Sequence, residues 1–546
     1  MTSESTFYQQ AEKWLYRILE LNPVAATQLG DHRWDNRLAD YSPAAIENQY
    51  QEILAALAEV QAMDIGSFGP EAQIDHTLMV HIFQSFIRQH EKRRFEWRDP
   101  GVYLNEVLIG VLVLIMKEFA PLPERLRSAL GRVREAPRVL REGQANLLPA
   151  EVPPVWVEVA IEQAQQAAGL FAGFLPQMAA EFPELQAGLA EAGQLAAQAT
   201  QDYAQYLQNE LLPQAEGDFA VGRKLFEEML REEHLVDYDA EQLLATGREQ
   251  LHQTKVQMEA VAREIDPQKT VHEILEEAKT DHPTAEGLLA AYEKAMLEAR
   301  QYVIDHDIAA IPAGESLRII ETPAYLRPLL PYAAYMPAGI LEEKQEGTFV
   351  VTPVDPAAPP AEQEQKLKGH YYIKLPVVAL HEAYPGHHLQ LVWANQRETI
   401  PRRMASFLSS LFVEGWAFYC EELMEELGYI ATPLQRLGRL SDQLWRAARI
   451  ILDVSLHTKG MSVDKAVDFL VQECQLEPVN ALAEVRRYTQ SPTQPQSYLM
   501  GKLQIVALVA DYRRVHPEAS LRQVHDAVLS CGSLPPRLMR QRLLGR

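Results

Sequence analysis

The sequence predicts a mainly helical protein with one small antiparallel β element, and three observations carry that expectation. Long stretches rich in Ala, Gln, Glu and Leu, above all 155–211, favour helix by intrinsic propensity. Between positions 240 and 265, Leu244, Leu251, Met258 and Ile265 recur every seven residues, the stripe of a helix packed on a neighbour. Strand-leaning residues are confined to 316–321, 332–336 and 347–354, with Pro and Gly between them.

Taken in order, the pattern is helical over 4–21, 43–63 and 71–94, with a loop at Gly30 and Asp31 after the first of these. Pro121, Pro123 and Pro137 punctuate two or three helices between 120 and 148. Pro149, Pro153 and Pro154 then mark a turn, and 155–211, broken near Phe182 and Pro183, reads as an antiparallel helical pair. The three β segments follow residue 309 and offer a wall for a cleft, with a strand edge on which an extended peptide can pair. Residues 355–365 read as an acidic, Pro-rich loop, Lys374-Leu375-Pro376 as a helix start, and 404–546 as helical again. The expected division is 1–310, a helical region forming one side of the cleft, and 311–546, a catalytic region, both within one continuous unit.

A formal charge of −24, from 75 acidic and 51 basic residues, argues against nucleic acid or an anionic membrane as partner. The longest apolar run, Val107 to Met116, is ten residues, about half of a membrane span. The N-terminus lacks the basic start and apolar core of a secretory signal. Cys420, Cys474 and Cys531, three in number and far apart, make no disulfide framework. Cytoplasmic location is therefore expected.

The chemistry concentrates in His381-Glu382-Ala383-Tyr384-Pro385-Gly386-His387-His388, at the end of an apolar run. Zinc takes imidazole and carboxylate ligands, and a helix offers two histidines one turn apart in His-Glu-x-x-His. Here the spacing is longer. His381 and His387 are six positions apart, about 240° around a regular helix, while His388, seven positions on, returns to the face of His381 but about 10 Å along the axis from it. Pro385 cannot donate to the carbonyl of residue 381 and clashes with it, so the helix must open there. Gly386 then allows backbone torsions closed to other residues. If Pro385 and Gly386 loop out as two extra residues, His387 takes the second ligand's place; His388 would need a three-residue bulge and ranks second. The competing explanation is a buried, hydrogen-bonded histidine cluster.

A third ligand is required, and Glu414 is the best candidate, because it shares a helix face with the apolar Leu411 and Phe418. Glu421, two turns on, could hydrogen-bond a ligand histidine from behind, although a solvated surface position explains it as well.

The motif His-Glu-x-x-Pro-Gly-His-His-x-Gln followed by Glu-Gly-Trp-Ala-x-Tyr resembles the bacterial domain of unknown function 885 family, placed among zinc metallopeptidases of the gluzincin type. Weaker matches at Leu29–His32, Phe219–Gly222, Arg446–His457 and Gln494–Gly501 extend the likeness along the chain. The resemblance implies a largely helical metallopeptidase with a buried cleft, one zinc ion, His381, His387 and Glu414 as ligands, and Glu382 as catalytic base.

Attack on an amide carbonyl builds an oxyanion that a tyrosine or histidine can stabilise. Tyr498 and His457 are the candidates, with Tyr488 behind them. Arg446 could grip a substrate carboxylate in bidentate fashion, although structural salt bridges explain it equally. The leading expectation is a zinc-dependent hydrolase of short peptides. The alternatives are a hydrolase of a non-peptide amide or ester, and a non-catalytic helical scaffold with a structural metal. Structural zinc is normally closed by four protein ligands, and only three are visible here.

Overall fold

Many of the helices begin with proline at their first turn, including those starting at Pro23, Pro43, Pro70, Pro154, Pro183, Pro433 and Pro478. Proline costs nothing there, since its missing N–H has no intrahelical partner anyway. The computed structural model describes residues 3–322, 327 and 332–545. They form a mainly helical protein with a three-stranded sheet. Among them no single helix is long and apolar enough to cross a membrane.

The chain divides into two compact units, residues 1–219 with 339–342, and residues 220–338 with 343–546. In the first unit the helix Leu122–Asn146 runs unbroken through Pro137, where two or three helices were expected. Proline removes one intrahelical bond, but the buried face of Leu126, Val133, Val139 and Leu140 spans it and keeps the helix whole. The expected pair is present, as Pro154–Gly169 packs on Pro183–Tyr206.

In the second unit the helix Ala240–Ile265 starts with a capping box between Asp239 and Gln242, and packs along Pro433–Thr458. Leu243 and Leu244 join Ile450, Ile451 and Val454 in a core that also takes Leu411 and Phe418 from the helix Leu411–Glu426, and Leu499 and Met500 from Ser497–Val515. Each such side chain is worth about 1.5–3 kcal/mol when buried, so this core fixes the mutual placement of the helices that carry Glu414, Arg446 and Tyr498. Residues 355–365, read as a loop, contain the start of a short helix, Pro360–Leu367.

The strands are β1 (Ser316–Glu321), β2 (Ala333–Met336) and β3 (Glu346–Val351), in the order β1-β3-β2. β2 pairs antiparallel with β3, as expected, but β1 runs parallel to β3, so the sheet is mixed. The reason is topological. β3 takes the centre, and the chain has reversed twice between β1 and β3, so those two strands point the same way. Phe349 of β3 packs on Tyr292 of the helix Leu288–Asp305, a helix that also packs on Leu375–Glu382.

Candidate metal centre

The apolar run preceding the histidines forms the helix Leu375–Glu382, with Pro376 in its first turn. A second helix, His387–Asn395, follows after a four-residue turn. Two backbone hydrogen bonds measure the break: Gly386 N donates to Leu380 O at 2.9 Å, and Leu389 N to Ala383 O at 3.3 Å. Each spans six positions where a helix spans four, so the connection holds two residues more than a continuous helix. That is the two-residue insertion read from Pro385 and Gly386, and it brings His387 back beside His381.

Gly386 is required by contact, since a Cβ there would lie 1.9 Å from the carbonyl oxygen of His381. The Tyr384–Pro385 peptide bond is cis. Trp416, fully buried, donates from its indole to the carbonyl of Pro385 at 2.8 Å and ties the turn to the Glu414 helix.

That helix, Leu411–Glu426, packs on both histidine helices. It presents Glu414 to the bend. One ligand atom from each of His381, His387 and Glu414 lies within 4.8 Å of the other two. The two imidazoles stand nearly perpendicular, at 88°, with centroids 4.8 Å apart. His387 Nε2 is 3.4 Å from a Glu414 oxygen.

Burial by itself would raise the Glu414 carboxyl, but the adjoining His387 outweighs it and holds the group down to about 2. Burial likewise disfavours a charged His387, and Glu414 outweighs that and raises the imidazole. The Nδ1 of His387 is buried with no hydrogen-bond partner, a costly state unless something binds the ring. Two imidazoles and an ionised carboxylate fit the ligand set of a divalent cation such as zinc.

Behind the triad, His381 Nδ1 donates to Glu421 at 2.7 Å, so its Nε2 is the nitrogen left for the site. Glu421 is 1% exposed, which discards the solvated reading. His388 turns away from the triad. Its Nε2 donates to Glu315 at 2.8 Å, and its Nδ1 accepts from Tyr335 of β2 at 3.0 Å. With both nitrogens engaged it has none to offer a metal.

Glu382, last residue of its helix, is half-buried, and among the described residues no hydrogen bond occupies its carboxylate. Its charge bears on His387, Tyr292 and Tyr335. Tyr498 starts the helix Ser497–Val515, half-buried. Burial raises its phenol, and the charge of Glu414 adds to the rise.

The guanidinium of Arg446 lies 5.7 Å and that of Arg449 4.6 Å from the centre of the Tyr498 ring. His457 is a different matter. It is fully buried, donates to the carbonyl of Tyr488 at 3.0 Å and stacks on Phe226. It stands eight residues beyond Arg449 on one helix, about 12 Å along the axis. The expected oxyanion role therefore does not fit His457, because its proton is taken by backbone. Tyr488 is structural too, its hydroxyl accepting from Arg449 at 2.8 Å and Trp445 at 3.2 Å.

Sequence reading missed Glu315, Tyr335 and Tyr384, which hold His388 in place, and the clamp made by Trp416. The indole was legible inside the Glu-Gly-Trp motif, but its acceptor is 31 positions away. Nothing in the local sequence marked Glu315.

Two solved structures share this fold. One is a provisionally named lipoprotein of unknown function from Shewanella oneidensis, 23% identical over 98% of this chain and 99% of that one, with a TM-score of 0.80. The other, also provisionally named a lipoprotein, is from Colwellia psychrerythraea, 17% identical over 100% of this chain and 99% of that one, with a TM-score of 0.85. No curated protein matches in sequence. The model of a family of bacterial proteins of unknown function, DUF885, matches residues 23–543, and the chain belongs to that family.

Proposed function

We propose that the protein is a zinc-dependent hydrolase of peptides, related in its chemistry to gluzincin metallopeptidases. The observation that carries this reading is the convergence of His381, His387 and Glu414, with Glu382 adjacent in sequence and its carboxylate in no hydrogen bond among the described residues. Zinc, when bound, supplies a Lewis acid for the scissile carbonyl and a water whose pKa falls toward neutrality.

The residues of the chain do the rest. Glu382 takes the proton of the attacking water and passes it to the leaving nitrogen. Glu421 fixes the tautomer and orientation of His381 through the 2.7 Å hydrogen bond. Tyr498 directs a phenolic donor at the oxygen on which charge develops. β2 is an edge strand in the sheet order and offers its backbone to an extended peptide.

Glu382→Gln is expected to retain about one zinc per chain while peptide cleavage disappears. Metal analysis together with product analysis of a peptide library, with and without chelator, checks this; undiminished cleavage in the variant removes Glu382 as base. His387→Ala is expected to lose metal, and His388→Ala to keep more of it.

The buried thiols of Cys420, Cys474 and Cys531, which form no disulfide among the described residues, support a reducing compartment, and we keep the cytoplasmic reading. The lipoprotein names of the two structural relatives favour a membrane surface instead. Cell fractionation of the native protein decides between them.

A further inference from the structure

Beside the triad lies a group of cations with too few acids. Lys374 Nζ donates to Asp442 at 2.7 Å, and Arg446 Nη1 approaches the same carboxylate oxygen at 3.3 Å. Arg449 and Arg487 both reach one oxygen of Glu484, at 3.0 and 2.9 Å. Four cations thus share two carboxylates, which leaves two positive charges over. Glu414, whose carboxyl feels the charge of Arg449, is paired with His387.

The donors are incompletely used as well. Among the described residues, Arg446 Nε and Arg449 Nη1 are buried without a hydrogen-bond partner, and Arg446 Nη1 has only its ion pair with Asp442. Buried guanidinium N–H groups in that state are costly, and a planar anion with two oxygens satisfies them. Arg446 and Arg449 lie one turn apart on a single helix, and both guanidiniums lie within 6 Å of the Tyr498 ring.

Their distance from the metal ligands sets what kind of anion fits. Arg446 lies over Phe418, at 5.8 Å, and Phe418 follows Glu414 by four residues on one helix, about 6 Å of rise. An extended peptide advances about 3.3–3.6 Å per residue. A carboxylate held beside Phe418 is therefore displaced along that helix from Glu414 by about the length of one or two extended residues.

We propose that Arg446 and Arg449 receive the free C-terminal carboxylate of a peptide, so that the enzyme releases one or two residues from the C-terminal end. This rests on the hydrolase reading above. In the reaction the water's hydroxyl adds to the acyl carbon, the carbon–nitrogen bond breaks, and a proton passes to the released amine of the terminal fragment.

The test separates this proposal from that reading by measuring binding. N-acetyl-dialanine, its C-terminal amide, and an N-acetyl-alanyl-glutamate amide are titrated calorimetrically into the full-length metal-free protein and into zinc-loaded Glu382→Gln. The free acid is expected to bind on the order of 30-fold tighter than its amide, the scale of one charged hydrogen-bonded contact. Arg446→Gln should reduce that preference to about 3-fold or less, and Arg446→Lys should restore part of it, with unchanged melting temperatures reporting intact folds.

Equal binding of acid and amide, or a preference undiminished in Arg446→Gln, overturns the proposal even if the protein cleaves peptides. Equal or tighter binding of the glutamate amide also overturns it, because the site would then read an acidic side chain. A clear acid preference lost with Arg446 supports the carboxylate receptor even if no hydrolysis is found.

Discussion

Glu421 accepts from His381 at 2.7 Å while its second oxygen is buried without a partner. A carboxylate so placed orients the imidazole and makes it a better ligand. Glu421→Ala is expected to weaken zinc binding about 100-fold and Glu421→Gln about 10-fold, read by competition with a chelator. Unchanged affinity in both variants would make the contact merely structural. Tyr498→Phe should lower the cleavage rate on the order of 100-fold with little change in zinc content. Its counterpart His457 should tolerate no such test of mechanism, since it is bonded to the Tyr488 carbonyl within the core. Both residues lay in plausible motifs. What separates them is burial: His457 is fully buried in the core, while Tyr498 is half-buried beside Arg446 and Arg449, and only packing decides that.

At the scale of elements, the helix carrying Glu414 is set by contact between two glycines. A Cβ on Gly415 would lie 2.4 Å from the carbonyl carbon of Gly501, and one on Gly501 would lie 2.0 Å from the carbonyl oxygen of Leu411. The Leu411–Glu426 and Ser497–Val515 helices are therefore nearly backbone to backbone. Gly501→Ala is expected to cost about 1–3 kcal/mol by overpacking, and to weaken zinc binding as Glu414 is pushed from the bend. Calorimetry and metal titration on one sample check both, and a variant that melts like the parent would sink the close-contact argument. The bend was legible beforehand because Pro385 forbids a regular helix and the 381–387 spacing then requires two extra residues. The mixed sheet was not, since strand order depends on which segment reaches the centre.

For the whole molecule, acid stability is expected to follow Glu315. Burial would raise its carboxyl, but donation from His388 at 2.8 Å, from Tyr384 at 2.5 Å and from Arg300 at 2.9 Å outweighs this and holds it down to about 2. A depressed acid stabilises the fold above its ordinary value, near 4.5, and that stability is lost as pH falls from there toward 2. Glu315→Gln should cost up to about 3 kcal/mol at pH 7 and make the melting temperature fall less between pH 4.5 and 2, a window in which Glu414 still titrates. A parallel pH profile in the variant would refute it. If the proposed site takes zinc, the ion would hold the folded state and not the unfolded chain, so chelation is expected to lower the melting temperature of the parent protein and leave that of His387→Ala unchanged.

The sequence by itself determined the helical class, the broken motif and the identity of the three converging side chains. Proline chemistry, residue spacing and apolar periodicity are local, and each was readable without coordinates. The tertiary structure alone decided that Glu421 and not solvent meets His381, that His388 is tied to Glu315, that His457 serves the core, and that four cations share two acids around Tyr498. Most of those outcomes depend on partners from 31 to 73 positions away, which only the packing of helices brings into hydrogen-bonding range.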